Sequence, residues 1–109
     1  MASNGVNSSQ SSLPLFQGVG YDIWSTKMKT LFISQDLWDF VEKGYFKTGV
    51  SVDTLKELWK KDAKALFFIQ QAVDESIFPQ IVAATKSNDA WDALQNRYQD
   101  NAKVLTIKL

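Results

Sequence analysis

The sequence predicts an all-α domain, a compact bundle of about five to six helices behind a disordered tail and an extended lead-in segment. Three observations predict it. Apolar residues recur at three- and four-residue spacing from Tyr21 onward. Residues that start and stop helices stand at the ends of those runs. No stretch alternates apolar and polar residues for long enough to make a strand. With 109 residues, 45% of them hydrophobic and 13% aromatic, the chain can bury one core and is one domain at most.

Residues 1–12, MASNGVNSSQSS, hold too little apolar area to offset the entropy of ordering them, so they read as a tail. The domain proper then covers 13–109. Leu13, Leu15 and Phe16 form an extended lead-in, because Pro14 disfavours helix in the residue before it. That segment either packs on the core or docks in a groove open to a partner peptide. After Gly18 and Gly20 a helix is expected over about 21–34, with Tyr21, Trp24, Met28, Leu31 and Phe32 inward and Lys27 and Lys29 outward. Asp36 stands where it would cap a shorter helix through Leu37, Trp38, Val41 and Glu42.

The longest helix is expected over about 54–73. Thr54 and Glu57 read as its capping box, and Leu55, Leu58, Trp59, Ala63, Leu66, Ile69 and Val73 as its buried stripe. Lys56, Lys60, Lys61 and Lys64, with Glu57 and Asp62 interleaved among them, read as a solvated charged face on its first half, while ALFFIQQAV makes its second half apolar nearly all round and central. Pro79 permits only the first turn of a helix in IFPQIVAA. After a turn over 85–88, with Ser87 as cap, a further helix places Ala90, Trp91, Leu94 and Tyr98 inward. The last segment, NAKVLTIKL, starts another amphipathic pattern that reaches the final residue. Its helix is expected to continue in a longer parent chain, leaving Val104 and Ile107 to contribute to self-association. The core thus expected contains Trp24, Leu31, Trp38, Trp59, Leu66, Ile69, Trp91, Leu94 and Tyr98, with Trp24, Trp59, Leu66 and Trp91 sharing one cluster. The candidate assembly or partner surface is Leu13, Leu15, Phe16, Val104 and Ile107.

Composition excludes much chemistry. Without cysteine or histidine there is no disulfide, Cys/His zinc site, thiol nucleophile or imidazole base. Asp36, Asp39 and Glu42 fall three apart and read as a solvated helix face rather than a metal site. Gly18-x-Gly20 lacks the preceding strand and third glycine of a dinucleotide fingerprint. Lys+Arg and Asp+Glu are 12 each and arginine occurs once, so negligible nucleic acid affinity is expected of this chain by itself. No apolar run approaches the roughly 20 residues of a membrane span. No catalytic, cofactor or metal residue is expected, and no membrane contact.

Two stretches carry a family resemblance. LPLFQGVGYDIWSTKMKTLFISQDLWDFVEKGY, with F-x-G, Y-x-x-W, K-M-K-x-L and S-Q-D-L-W-D in order, resembles the opening of Gag polyproteins of plant copia-type long-terminal-repeat retrotransposons. KKDAKALFFIQQAVDESIFPQIVAATKSNDAWDALQNRYQ is similar to the stretch that follows in those proteins. The resemblance implies a capsid-like N-terminal lobe that self-associates into particles packaging the element's RNA, in the cytoplasm, with the nucleus as a second location. RNA contact would then run only through regions absent here, because the zinc knuckle of such proteins needs Cys and His. The family often has Asn where Gly20 stands, a difference expected to affect helix entry alone. A different reading keeps the fold but makes it a domesticated module that binds peptide or protein partners in a hydrophobic groove as a monomer.

Overall fold

The computed structural model describes residues 13–99, so the tail over 1–12 and the expectations for Val104 and Ile107 lie outside the described residues. Within them the chain is helical: α1 (Tyr21–Ser34), α2 (Trp38–Lys43), α3 (Val52–Gln71) and α4 (Ser87–Leu94). A single 3₁₀ turn, Phe78–Gln80, precedes α4, and a π-helical turn, Gln95–Gln99, extends it. There is no β-strand among the described residues. Four helices lie among the described residues, close to the five to six expected: the segment with Pro79 stays one 3₁₀ turn, and the last segment lies outside the described residues.

The lead-in is extended and joined to the end of α3. Phe16 forms a parallel bridge with Val73, its N–H donating to the Ala72 carbonyl at 2.8 Å and its carbonyl accepting from Asp74 N–H at 2.9 Å. The Trp24 indole N–H on α1 reaches both the Ala72 carbonyl (3.0 Å) and the Pro14 carbonyl (3.2 Å), so one side chain clamps lead-in and helix end together. Gly20 enters α1 at φ 72°, and a Cβ there would meet nothing within 4 Å. An Asn at that position therefore keeps the same turn, since Asn tolerates left-handed backbone.

Asp36 takes a different part from the one expected. It lies at φ 60° and ends α1: its N–H donates to the Ile33 carbonyl (3.1 Å) and the Leu37 N–H to the Phe32 carbonyl (2.8 Å). This is the Schellman arrangement, with buried Leu37 supplying its apolar contact. The short helix α2 consequently starts from Leu37 with no side-chain cap.

Helix α3 starts two residues before the expected box. Ser51, in extended conformation, is the cap, its hydroxyl accepting from Thr54 N–H at 3.1 Å. Glu57 instead faces Lys60 at 4.0 Å in an exposed pair. Which face of α3 is covered also differs from expectation. Asp62, Ala65 and Ile69 are fully inward, with Leu55, Leu58 and Leu66 beside them. Trp59 is 63% exposed, and Ala63 and Phe67 are exposed too, so Trp59 is not a core residue and the second half of α3 is not covered all round. The reason is steric phase: at 3.6 residues per turn, the face that buries Asp62 and Ile69 leaves Trp59 at its shoulder.

The core centres on Trp91 of α4. Its ring stacks on Trp24 (5.6 Å) and meets Phe32 (5.9 Å) and Trp38 (5.7 Å) edge to face. Met28, Val41, Ile69, Ile81 and Leu94 fill the space around it, and Leu31, Trp38, Leu66 and Tyr98 are partly buried against it. Of the cluster expected around Trp24, Leu66 and Trp91, only Trp59 stands outside.

Candidate functional site

The polar groups that fix the architecture gather at the start of α4. That helix has no side-chain cap of its own, and Ser87 is its first residue rather than its cap. The cap arrives from α3. The Asp62 carboxylate, 1% exposed, accepts from Ser87 N–H at 3.2 and 3.3 Å and from the Ser87 hydroxyl at 2.6 Å. An anion at a helix N-terminus is favoured by the orphan amides and the helix dipole. Beside it, the Asn88 side-chain amide donates to the Val41 and Glu42 carbonyls at 2.9 and 3.1 Å, closing the end of α2. Sequence reasoning placed Asp62 among the solvated charges of α3. The signal available was the S-N-D run at 87–89, which marks a helix start but not its distant partner.

Of the residues expected to form an assembly surface, Phe16 is not on the surface at all. It is 1% exposed, packed edge to face on Tyr98 (4.7 Å) and Tyr21 (5.7 Å). Its backbone pairing with α3 and this ring packing make the lead-in part of the core. Leu13 is half-buried, and Leu15 is exposed.

The apolar surface that is open lies elsewhere. A cleft of about 270 Å³ runs between the loop after α2 and the first two turns of α3, lined by Tyr45, Lys47, Val52, Leu55, Lys56 and Trp59. Phe46, 85% exposed, stands next to it in sequence. The Lys86 ammonium lies 5.6 Å from the centre of the Tyr45 ring and adds a third cation at this end. None of the lining side chains is acidic. Burial, and then the Asp62 carboxylate behind it, push the Tyr45 phenol above its ordinary pKa. The exposed residues Val52, Lys56, Trp59, Ala63 and Phe67 recur at three- and four-residue spacing, so α3 carries a second stripe facing solvent.

A second cleft, of about 290 Å³, lies between α1, α2 and α4 and is mainly polar. Lys29 sits 5.2 Å over the Trp38 ring at its edge. The buried Tyr21 hydroxyl has no hydrogen-bond partner among the described residues, and its pKa is pushed up to about 12, by burial first and the Asp92 carboxylate second. A phenol held neutral in this way is not a base. Asp36, Asp39 and Glu42 are exposed, and no three Asp or Glu residues converge as a metal site among the described residues. No helix among them is long and apolar enough to cross a membrane.

A family model for the gag polypeptide of LTR copia-type elements matches residues 28–108. No curated protein and no solved structure matches the chain.

Proposed function

The chain belongs to the copia-type gag polypeptide family, and on that premise we propose that it is a structural assembly module. It acts as the N-terminal lobe of a Gag protein that self-associates into cytoplasmic particles packaging the element's RNA. The observation that carries this reading is the extent of the family match, residues 28–108, which takes in the second half of α1 and all of α2, α3 and α4. Gag is a structural rather than a catalytic class of protein. The exposed apolar side chains of α3 and the loop before it support the reading, since monomeric domains rarely leave such a patch open without use. RNA enters the particle through regions outside this chain, in keeping with its balanced charge.

Sedimentation velocity of the 109-residue chain at roughly 0.01–1 mM tests the reading, a range that brackets weak contacts. A weight-average mass that rises with concentration is expected. A strictly monomeric chain across the range, with no particles from the full-length polyprotein, overturns it. The cleft at Trp59 favours one second reading, a domesticated module whose cleft takes an apolar side chain of a peptide. A monomer that binds such a peptide saturably would support that reading instead.

A further inference from the structure

The chain is neutral as a whole, yet the side chains around its two open apolar surfaces differ in sign. At the N-terminal end of α3, Lys47, Lys56 and Lys86 surround the apolar cleft of Tyr45, Val52 and Trp59, with Phe46 beside it. At the C-terminal end the bridge between Phe16 and Val73 brings the lead-in beside Asp74 and Glu75. Leu15, Val19 and Ile23 are exposed along the lead-in and the first turn of α1, Val19 by 83%, with Asp22 exposed among them and Lys27 exposed one turn further on. Trp59 and Val73 are 14 positions apart, so at 1.5 Å per residue the two ends are separated by roughly 20 Å along the helix axis. The cleft lining is apolar and basic, with Asp53 and Glu57 on neighbouring positions of α3, whereas the lead-in end is apolar with carboxylates in excess.

We propose that copies of this chain associate head to tail: the Leu15, Val19 and Ile23 patch of one copy, flanked by Asp22, Asp74 and Glu75, seats on the Phe46, Val52 and Trp59 cleft of the next, flanked by Lys47, Lys56 and Lys86. The inference rests on the assembly reading above and names its surfaces. Two different patches in contact make a heterologous interface, which closes into a ring or continues as a filament rather than stopping at a dimer. Cleft-to-cleft pairing would set the lysines against one another, which opposes a two-fold dimer through the same face. RNA fits the cleft less well. Its cations are lysines, Asp53 and Glu57 lie on the same turns of α3, and Lys60 already faces Glu57 at 4.0 Å. The ten residues after Gln99 do not suit it either, because they carry Lys103 and Lys108 against a single carboxylate. Three apolar side chains on each side are far fewer than the roughly 20–30 residues per partner of a standard interface, so each contact is weak and assembly comes from repetition.

The test uses two variants of the full chain, a cleft variant (Phe46→Ser, Trp59→Ser) and a lead-in variant (Val19→Ser, Ile23→Ser). All four positions are exposed, so both variants should melt close to wild type. Sedimentation equilibrium is expected to show each variant at least about tenfold weaker in self-association than wild type. An equimolar mixture should form a 1:1 dimer and nothing larger, because one intact cleft and one intact lead-in patch remain. A charge variant, Lys47→Glu with Lys56→Glu, should weaken association without touching the apolar side chains. Self-association that persists in both variants leaves the assembly reading standing and overturns these surfaces. A mixture that forms no dimer overturns the head-to-tail arrangement. A monomeric wild type overturns both, as does a cleft that instead takes up single-stranded RNA, detected by Trp59 quenching.

Discussion

Removing the Asp62 carboxylate tests how α3 and α4 are joined. Asp62 and Ser87 are both buried, and three hydrogen bonds link them across 25 positions of sequence. In Asp62→Ala the Ser87 N–H and hydroxyl lose their shared acceptor. Each buried donor left unpaired costs about 1–3 kcal/mol, and losing the anion at the start of a helix adds about 0.3–1 kcal/mol. Relief of the carboxylate's own burial offsets part of this. The net loss expected is about 2–4 kcal/mol, a large share of the ~5–15 kcal/mol that holds such a domain together. At about 4–8 °C per kcal/mol, the melting temperature should fall by about 8–32 °C. Asp62→Asn keeps the shape and one carbonyl acceptor and should lose roughly half as much. Urea unfolding followed by circular dichroism, with Ser87→Ala and the double variant completing a cycle, should give a coupling of about 1–3 kcal/mol. A loss below about 1 kcal/mol in Asp62→Ala with an unchanged m-value, or no coupling to Ser87, would refute the interhelix cap.

Three further outcomes follow from the packing. Trp91→Ala should cost about 3–5 kcal/mol and Trp59→Ala less than about 1, since only Trp91 is enclosed; equal losses in urea melts would show Trp59 to be packed. Asp36→Gly should be neutral or stabilise by up to about 1 kcal/mol because it relieves left-handed backbone at φ 60°, whereas Asp36→Val should destabilise; the reverse order in thermal melts would contradict the Schellman end of α1. Tyr21 keeps its proton longer when folded than unfolded, its pKa rising from 10.0 to about 12, so stability should fall as pH climbs through that window. Tyr21→Phe should shed that part of the fall, and at pH 7 should be no less stable because the hydroxyl it removes is unpartnered among the described residues. An unchanged difference between the two proteins from pH 8 to about 12 would count against it.

Much of this protein was legible in its residues. The spacing of Tyr21, Trp24, Met28 and Phe32 gave α1, and that of Ala90, Trp91 and Leu94 gave α4, because each helix has one apolar stripe and so one choice of inward face. The ordered motifs from Phe16 to Tyr98 pointed to the family that the match over 28–108 identifies. Only the tertiary structure decided the face of α3. That helix carries two overlapping stripes, one through Leu58, Ala65 and Ile69 and one through Val52, Trp59 and Phe67, and periodicity cannot say which of two faces meets a neighbour. Hydropathy favoured Trp59 for the interior over Asp62. The fold reversed that order because the start of α4 supplies Asp62 with three hydrogen bonds from 25 positions away, a partner that no local pattern reveals. Asp36 follows the same logic: its sequence suits a helix cap, but the buried Leu37 after it draws the chain into the turn that ends α1 instead.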